Sequence, residues 1–142
     1  AAYNARWSTI GPRATLITPN LDAAARLTGW RTIRNLEEMK EAAALLEELG
    51  PRYVLIKGGH LKGEPLDLLF DGEEFEPFEG VRHGDRSPHG TGCALSAAIA
   101  AGLAQGMPMR EAVGQAKRFL DQAIRGAMKV GKGREYLDLR PY

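Results

Sequence analysis

Along this chain the apolar positions change rhythm several times, and each change predicts an element. Ala14 to Thr18 is a short apolar run stopped by Pro19-Asn20, the pattern of a strand that ends in a turn. Leu21 to Thr28 reads as a helix closed by Gly29. Leu36, Met39, Ala43, Leu46 and Leu49 then recur at helical spacing. Asn35 is placed to cap that helix, with Glu38 three residues on as its capping-box partner. Gly50-Pro51 ends it. Tyr53-Val54-Leu55-Ile56 follows at once, short and β-rich, as a strand buried on both faces should be. Strand, helix, helix, strand in this order predicts parallel neighbours joined by a helical crossover.

The second half has a different style. Leu66 to Phe70 and Glu74 to Phe78 flank Asp71-Gly72, a hairpin signal that adds antiparallel strands at one edge. A polar stretch, Val81 to Pro88, leads to a glycine-rich corner and a helix from Thr91 to Ala104, broken by Gly106 and Pro108. A last amphipathic helix begins at Met109 and extends to about Met128, with Ala112, Ala116, Phe119, Leu120 and Ala123 on one side. The tail from Gly131 to Tyr142 reads as irregular, and no repeat or low-complexity linker interrupts the chain. The predicted fold class is α/β: a mostly parallel sheet flanked by helices, with an antiparallel edge hairpin.

Composition narrows the functions. With 142 residues the chain fits one domain, and 44% hydrophobic with 26% charged residues is ordinary for a globular protein. A net charge of +1, with both signs interspersed, gives no electrostatic case for nucleic acid or for a membrane surface. Ala94 to Ala104, the longest run of small apolar residues, is about half the length of a membrane span. No signal peptide is visible, and the single cysteine excludes an internal disulfide, so the expected location is the cytoplasm. His60, His83 and His89 lack the close pairing of a metalloprotease helix, and no residue is assigned as a metal ligand.

The corner itself, His89-Gly90-Thr91-Gly92-Cys93, carries the chemistry. Unpaired N–H groups and partial positive charge at a helix N-terminus attract anions, and glycines let a phosphate approach the backbone. Thr91 adds a hydroxyl. Cys93 falls in the first turn, where the helix field favours thiolate and equips the group to take a proton from a substrate hydroxyl. The plain alternative is a glycine turn with cysteine as a small hydrophobe. Two rival glycine patterns fail. Leu95 stands where a dinucleotide fingerprint needs its third glycine. Gly126 to Lys132 has P-loop spacing, but Gly133 replaces the magnesium-binding Ser/Thr and the run follows a helix.

Three motifs in order, Thr18-Pro19-Asn20-Leu21, Leu55-Ile56-Lys57-Gly58-Gly59-His60 and His89-Gly90-Thr91-Gly92-Cys93, resemble the hydroxymethylpyrimidine/phosphomethylpyrimidine kinases of thiamine biosynthesis. That family belongs to the ribokinase-like superfamily, whose sugar kinases usually carry aspartate at the position of Cys93. The resemblance covers residues 14–130 and implies the C-terminal, nucleotide-binding half of such a kinase. Residues 1–13 are an unassigned lead-in and 131–142 the irregular tail. The implied chemistry is transfer of phosphate from ATP, with magnesium, to a pyrimidine hydroxymethyl group and then to its monophosphate. Cys93 matches the catalytic position, and Gly90, Thr91 and Gly92 match the anion hole. Lys57 and Gly59 match the nucleotide-phosphate region. Asn20 matches the start of an Asn-x-x-Glu motif tied to magnesium and phosphate, although a turn or cap role fits it equally. Lys57 also suits a phosphate on its own terms, since ligands gather at the carboxyl ends of strands in open α/β sheets.

The chain departs from the family in three places. Ala23 stands where the motif has glutamate. Arg86-Ser87-Pro88 replaces an Asn-Thr pair. Arg134-Glu135-Tyr136 replaces a Gly-Pro ending. The family's N-terminal half, which supplies most of the pyrimidine pocket, has no counterpart here. A half-domain exposes apolar faces, so self-association, or a second chain covering the missing half, is expected. Two other functions fit the same residues: a pyridoxal-type kinase of the superfamily, and a non-catalytic nucleotide-binding remnant.

Overall fold

The computed structural model describes residues 7–59, 61–63, 65–81, 83–84, 86 and 88–140. His60 and Ser87 of the sequence motifs lie outside the described residues. The chain divides into two compact units, Ala1–Gly80 and Val81–Tyr142.

The first unit contains a four-stranded sheet and, packed on it, two longer helices, after a short helical entry that ends in the 3-10 turn Gly11–Arg13. Strand β1 (Leu16–Ile17) pairs in parallel with β2 (Tyr53–Gly58), which pairs antiparallel with β3 (Leu66–Phe70), itself antiparallel to β4 (Phe75–Glu79). The parallel neighbours and the antiparallel edge are both present, but among the described residues the sheet is mixed rather than mostly parallel, because only β1 and β2 are joined by a helical crossover. β1 is only two residues long as a strand, yet ladder bonds extend it both ways: Tyr53 N–H to Thr15 O at 2.9 Å and Lys57 N–H to Pro19 O at 2.9 Å. Pro19 contributes an acceptor but no donor, which helps end the ladder there.

Helix α1 (Leu21–Thr28) is capped by the Asn20 side chain, which accepts from Ala23 N–H at 2.8 Å, and is closed by Gly29 at φ 77°. Helix α2 (Leu36–Glu47) is capped in the same way by Asn35 at 2.9 Å from Glu38 N–H. The expected return bond from Glu38 lands one residue earlier, on Arg34 N–H at 2.7 Å, because the Arg34 guanidinium also holds that carboxylate at 2.6 Å. The side-chain hydrogen bond from Arg34 is the main reason that the Glu38 carboxyl lies below its usual range.

Both helices pack on one sheet face. Ile17, Leu21, Ala24, Met39, Ala42, Ala43, Leu46, Val54, Ile56, Leu68 and Phe70 form that core. Strand geometry turns Leu55 and its cross-strand partner Leu69 to the opposite face, where they are buried as well. Leu49, placed by its spacing on the buried side of α2, is 37% exposed because the helix has ended two residues before it. The hairpin joins β3 and β4 by a four-residue loop: Asp71 Oδ1 accepts from Glu73 and Glu74 N–H at 2.8 and 2.7 Å, and Gly72 takes φ 95°. Phe70 and Phe75 stack across its base with centroids 4.4 Å apart. Pro77 sits in β4, which pairs on one side only, where the lost donor costs no ladder bond.

The second unit pairs helix α3 (Thr91–Ala104) with helix α4 (Met109–Arg125). Gly102 allows their close approach, since a Cβ there would meet Ala112 Cβ at 3.1 Å. Helix α4 stops at Arg125, earlier than its apolar pattern implied. Gly126 follows, and then β5 (Met128–Lys129) pairs antiparallel with β6 (Glu135–Tyr136). The tail expected to be irregular, Gly131 to Tyr142, therefore holds the second strand of a short ribbon. Its strands have too few residues for a period-two pattern to show. The P-loop look-alike, Gly126 to Lys132, contains β5 and the turn after it.

Candidate active site

Helix α3 begins at the glycine corner. Gly90 is its N-cap at φ 94°, a left-handed conformation that side chains resist. No side chain caps the helix, and its first turn holds no acid. The N–H groups of Thr91, Gly92 and Cys93 have no acceptor among the described residues. A bare, slightly positive helix start of this kind is suited to an anion such as phosphate. Cys93 is a free, exposed thiol in that first turn, and Thr91 is half-buried beside it.

The approach to the corner is held from behind. His89 N–H donates to Glu135 O at 3.0 Å, and His89 bridges Tyr136 in parallel. The His89 residue itself is exposed.

In the first unit, topology gathers the other three sequence-derived residues. Asn20 and Lys57 form a parallel bridge at the carboxyl end of β1, so residues 37 apart become neighbours. Lys57 is half-buried, and its ammonium pairs with no carboxylate among the described residues. Asn20 uses its side-chain oxygen as the α1 cap.

The two glycines after Lys57 differ. A Cβ on Gly58 would lie 2.0 Å from Leu66 O, so glycine is required by the sheet. A Cβ on Gly59 would meet nothing within 4 Å, and its exposed backbone is open to a ligand. The sequence motifs did not single out Asp67, which is 9% exposed and accepts from Gly58 N–H at 3.0 Å through Oδ1. Its signal was a lone acid inside the apolar strand Leu66-Asp67-Leu68-Leu69-Phe70.

The donor set suits phosphate better than it suits a protein-held magnesium. No group of three or more His, Cys, Asp or Glu residues is arranged for a metal among the described residues. At the position three after Asn20, Ala23 offers no carboxylate. An apolar groove of about 410 Å³ also runs along α3 and α4, lined by residues that include Ala97, Ala101, Ala116 and Phe119. No helix among the described residues is long and apolar enough to cross a membrane.

Comparison with known proteins gives the family. Residues 1–138 match the family model for phosphomethylpyrimidine kinase, so the match includes the lead-in that the motifs left unassigned. The hydroxymethylpyrimidine/phosphomethylpyrimidine kinase of Rhizobium meliloti is 48% identical over 126 residues, covering 87% of this chain and 47% of the relative. A bifunctional thiamine biosynthesis protein of Geobacter sulfurreducens is 50% identical over 123 residues, covering 86% of this chain and 25% of the relative. Among solved structures, pyridoxal kinase from Staphylococcus aureus superposes with a TM-score of 0.90 at 34% identity, over 96% of this chain and 51% of that one. Phosphomethylpyrimidine kinase from Clostridium difficile gives 0.68 at 38% identity, over 81% and 45%. The chain thus spans about half the length of the kinases that it matches. The fold is that of ribokinase-like kinases, and the chain belongs to the phosphomethylpyrimidine kinase family.

Proposed function

We propose that this chain is the nucleotide-binding half of a kinase that transfers phosphate from ATP to hydroxymethylpyrimidine and to its monophosphate. The uncapped, acid-free N-terminus of α3 at Gly90–Cys93 carries this reading. Cys93, acting as thiolate, accepts the proton and becomes the thiol as the substrate oxygen bonds to the γ-phosphorus and the bond to the ADP oxygen breaks. The N–H groups of Thr91, Gly92 and Cys93 stabilise charge on the phosphoryl in flight. Gly90, with no side chain, leaves that approach open. Lys57 supplies a point charge for nucleotide phosphate, Gly59 a backbone that phosphate can approach, and Asn20 the turn beside them. ATP use is supported by the S. aureus pyridoxal kinase, solved with ADP and with AMP-PCP.

Magnesium belongs to the family's implied chemistry, and the residues around Asn20 do not fit it. Ala23→Glu tests that point. It restores the Asn-x-x-Glu spacing, but it also completes a capping box on α1. Calorimetry should show magnesium-dependent tightening of ATP binding if the motif holds the ion. A rise in melting temperature without tightening would assign the position to helix capping alone.

A pyridoxal-type kinase is the second reading, favoured by the higher TM-score of the S. aureus enzyme. Backbone likeness does not choose a substrate, whereas side chains do. Identities of 40–50% to curated pyrimidine kinases favour pyrimidine. Parallel assays with hydroxymethylpyrimidine, its monophosphate and pyridoxal decide between them. Binding of ATP without turnover of any of these would instead support a non-catalytic remnant. The small-molecule partners are the pyrimidine and the nucleotide, and a cytoplasmic setting suits both. The apolar groove along α3 and α4 favours self-association, or cover by a second chain. Light scattering should give a mass above that of one chain, and a monomer at tens of micromolar would count against it.

A further inference from the structure

The segment that leads into the glycine corner is fastened to the far end of the same unit. The last turn of α4 leaves carbonyl oxygens that need partners. Gly126 N–H takes Gln122 O at 3.0 Å, Asp138 N–H takes Ala123 O at 3.1 Å, and Ala127 N–H takes Ile124 O at 3.0 Å. The Arg86 guanidinium serves the remaining end: Nη1 lies 3.5 Å from Ile124 O and 3.4 Å from Arg125 O. A cation there also suits the negative end of the helix dipole. Its Nη2 reaches Glu135 Oε1 at 3.5 Å. Glu135 in turn accepts His89 N–H through its backbone oxygen. Three residues before Arg86, His83 Nε2 meets Asp121 Oδ1 of α4 at 2.7 Å, and Arg125 holds the other oxygen of Asp121 at 3.0 Å.

We propose that Arg86 is a positioning residue for phosphoryl transfer: it straps the chain just before the glycine corner onto the end of α4 and onto Glu135, and so sets where Gly90 begins α3. This rests on the kinase reading of the corner. Arg86 is 43% exposed and its pair with Glu135 is long, so its stake in global stability is small. Placement is different, because donors aimed at a transition state lose effect with displacements of about 1 Å.

The test compares Arg86→Ala, Arg86→Lys and Glu135→Gln with the parent protein. Arg86→Ala should lower kcat roughly tenfold or more with little change in KM for ATP, since the loss falls on the transition state. Arg86→Lys should recover part of that loss, as a point charge without the planar fork. Melting temperature should stay nearly constant, while exchange of the His89 amide should quicken by about tenfold as its bond to Glu135 loosens. A folded Arg86→Ala protein with unchanged kcat overturns the proposal, whatever the exchange rate. If the parent has no turnover, the kinase reading falls separately, and His89 exchange alone decides: unchanged exchange overturns the strap, and faster exchange supports it.

Discussion

Cys93→Ala is expected to cut ATP-dependent phosphorylation by roughly 10²- to 10⁴-fold, the usual contribution of a general base, with the fold intact. The thiol is exposed, so its removal leaves no cavity, and alanine is the better helix former. Nucleotide binding should persist, because the α3 N–H groups belong to the backbone. Steady-state kinetics with ATP titration separate the two effects. Cys93→Asp puts a carboxylate proton acceptor in the same turn and should keep more activity than Cys93→Ala. If Cys93→Ala turns over at the parent rate, the thiol takes no proton and the corner acts through its N–H groups alone.

Gly58→Ala should destabilise the first unit by about 3 kcal/mol or more, at the upper end for overpacking. The added Cβ would stand 2.0 Å from Leu66 O, a backbone atom that moves only if β3 parts from β2. That parting would also strain the bond from Gly58 N–H to buried Asp67. Gly59→Ala is the control: its Cβ meets nothing within 4 Å, so stability should hold. Urea denaturation of both variants reads the difference. Equal stability would mean that β2 and β3 yield at this point without cost. A Gly59→Ala protein that is stable but binds ATP weakly would show that the ligand comes close to its backbone.

The fold was legible wherever the signal is local. Asn20 and Asn35 cap their helices because capping is decided within four residues, and Gly29 stops α1 because glycine alone takes φ 77° easily. Helix α4 ends before its sequence pattern does, because Ala127 and Met128 continue the apolar spacing past Arg125. Tertiary bonds override that pattern, with Asp138 taking Ala123 O and Met128 pairing with Tyr136. The ribbon β5–β6 leaves no sequence signal, since two-residue strands carry no period of their own.

The sequence by itself determined which residue types the candidate site offers: a glycine corner at a helix start, a cysteine in its first turn, and a lysine ending a buried strand. These are properties of residue type and short spacing, and physics over a few residues suffices to read them. Only the tertiary structure decided which groups are neighbours. It brought Asn20 beside Lys57 through a parallel bridge, made Gly58 a packing necessity and left Gly59 open. It also tied Arg86 and His89 to Glu135, almost fifty residues away. Such contacts depend on chain crossovers and close approaches between elements, which no local pattern encodes.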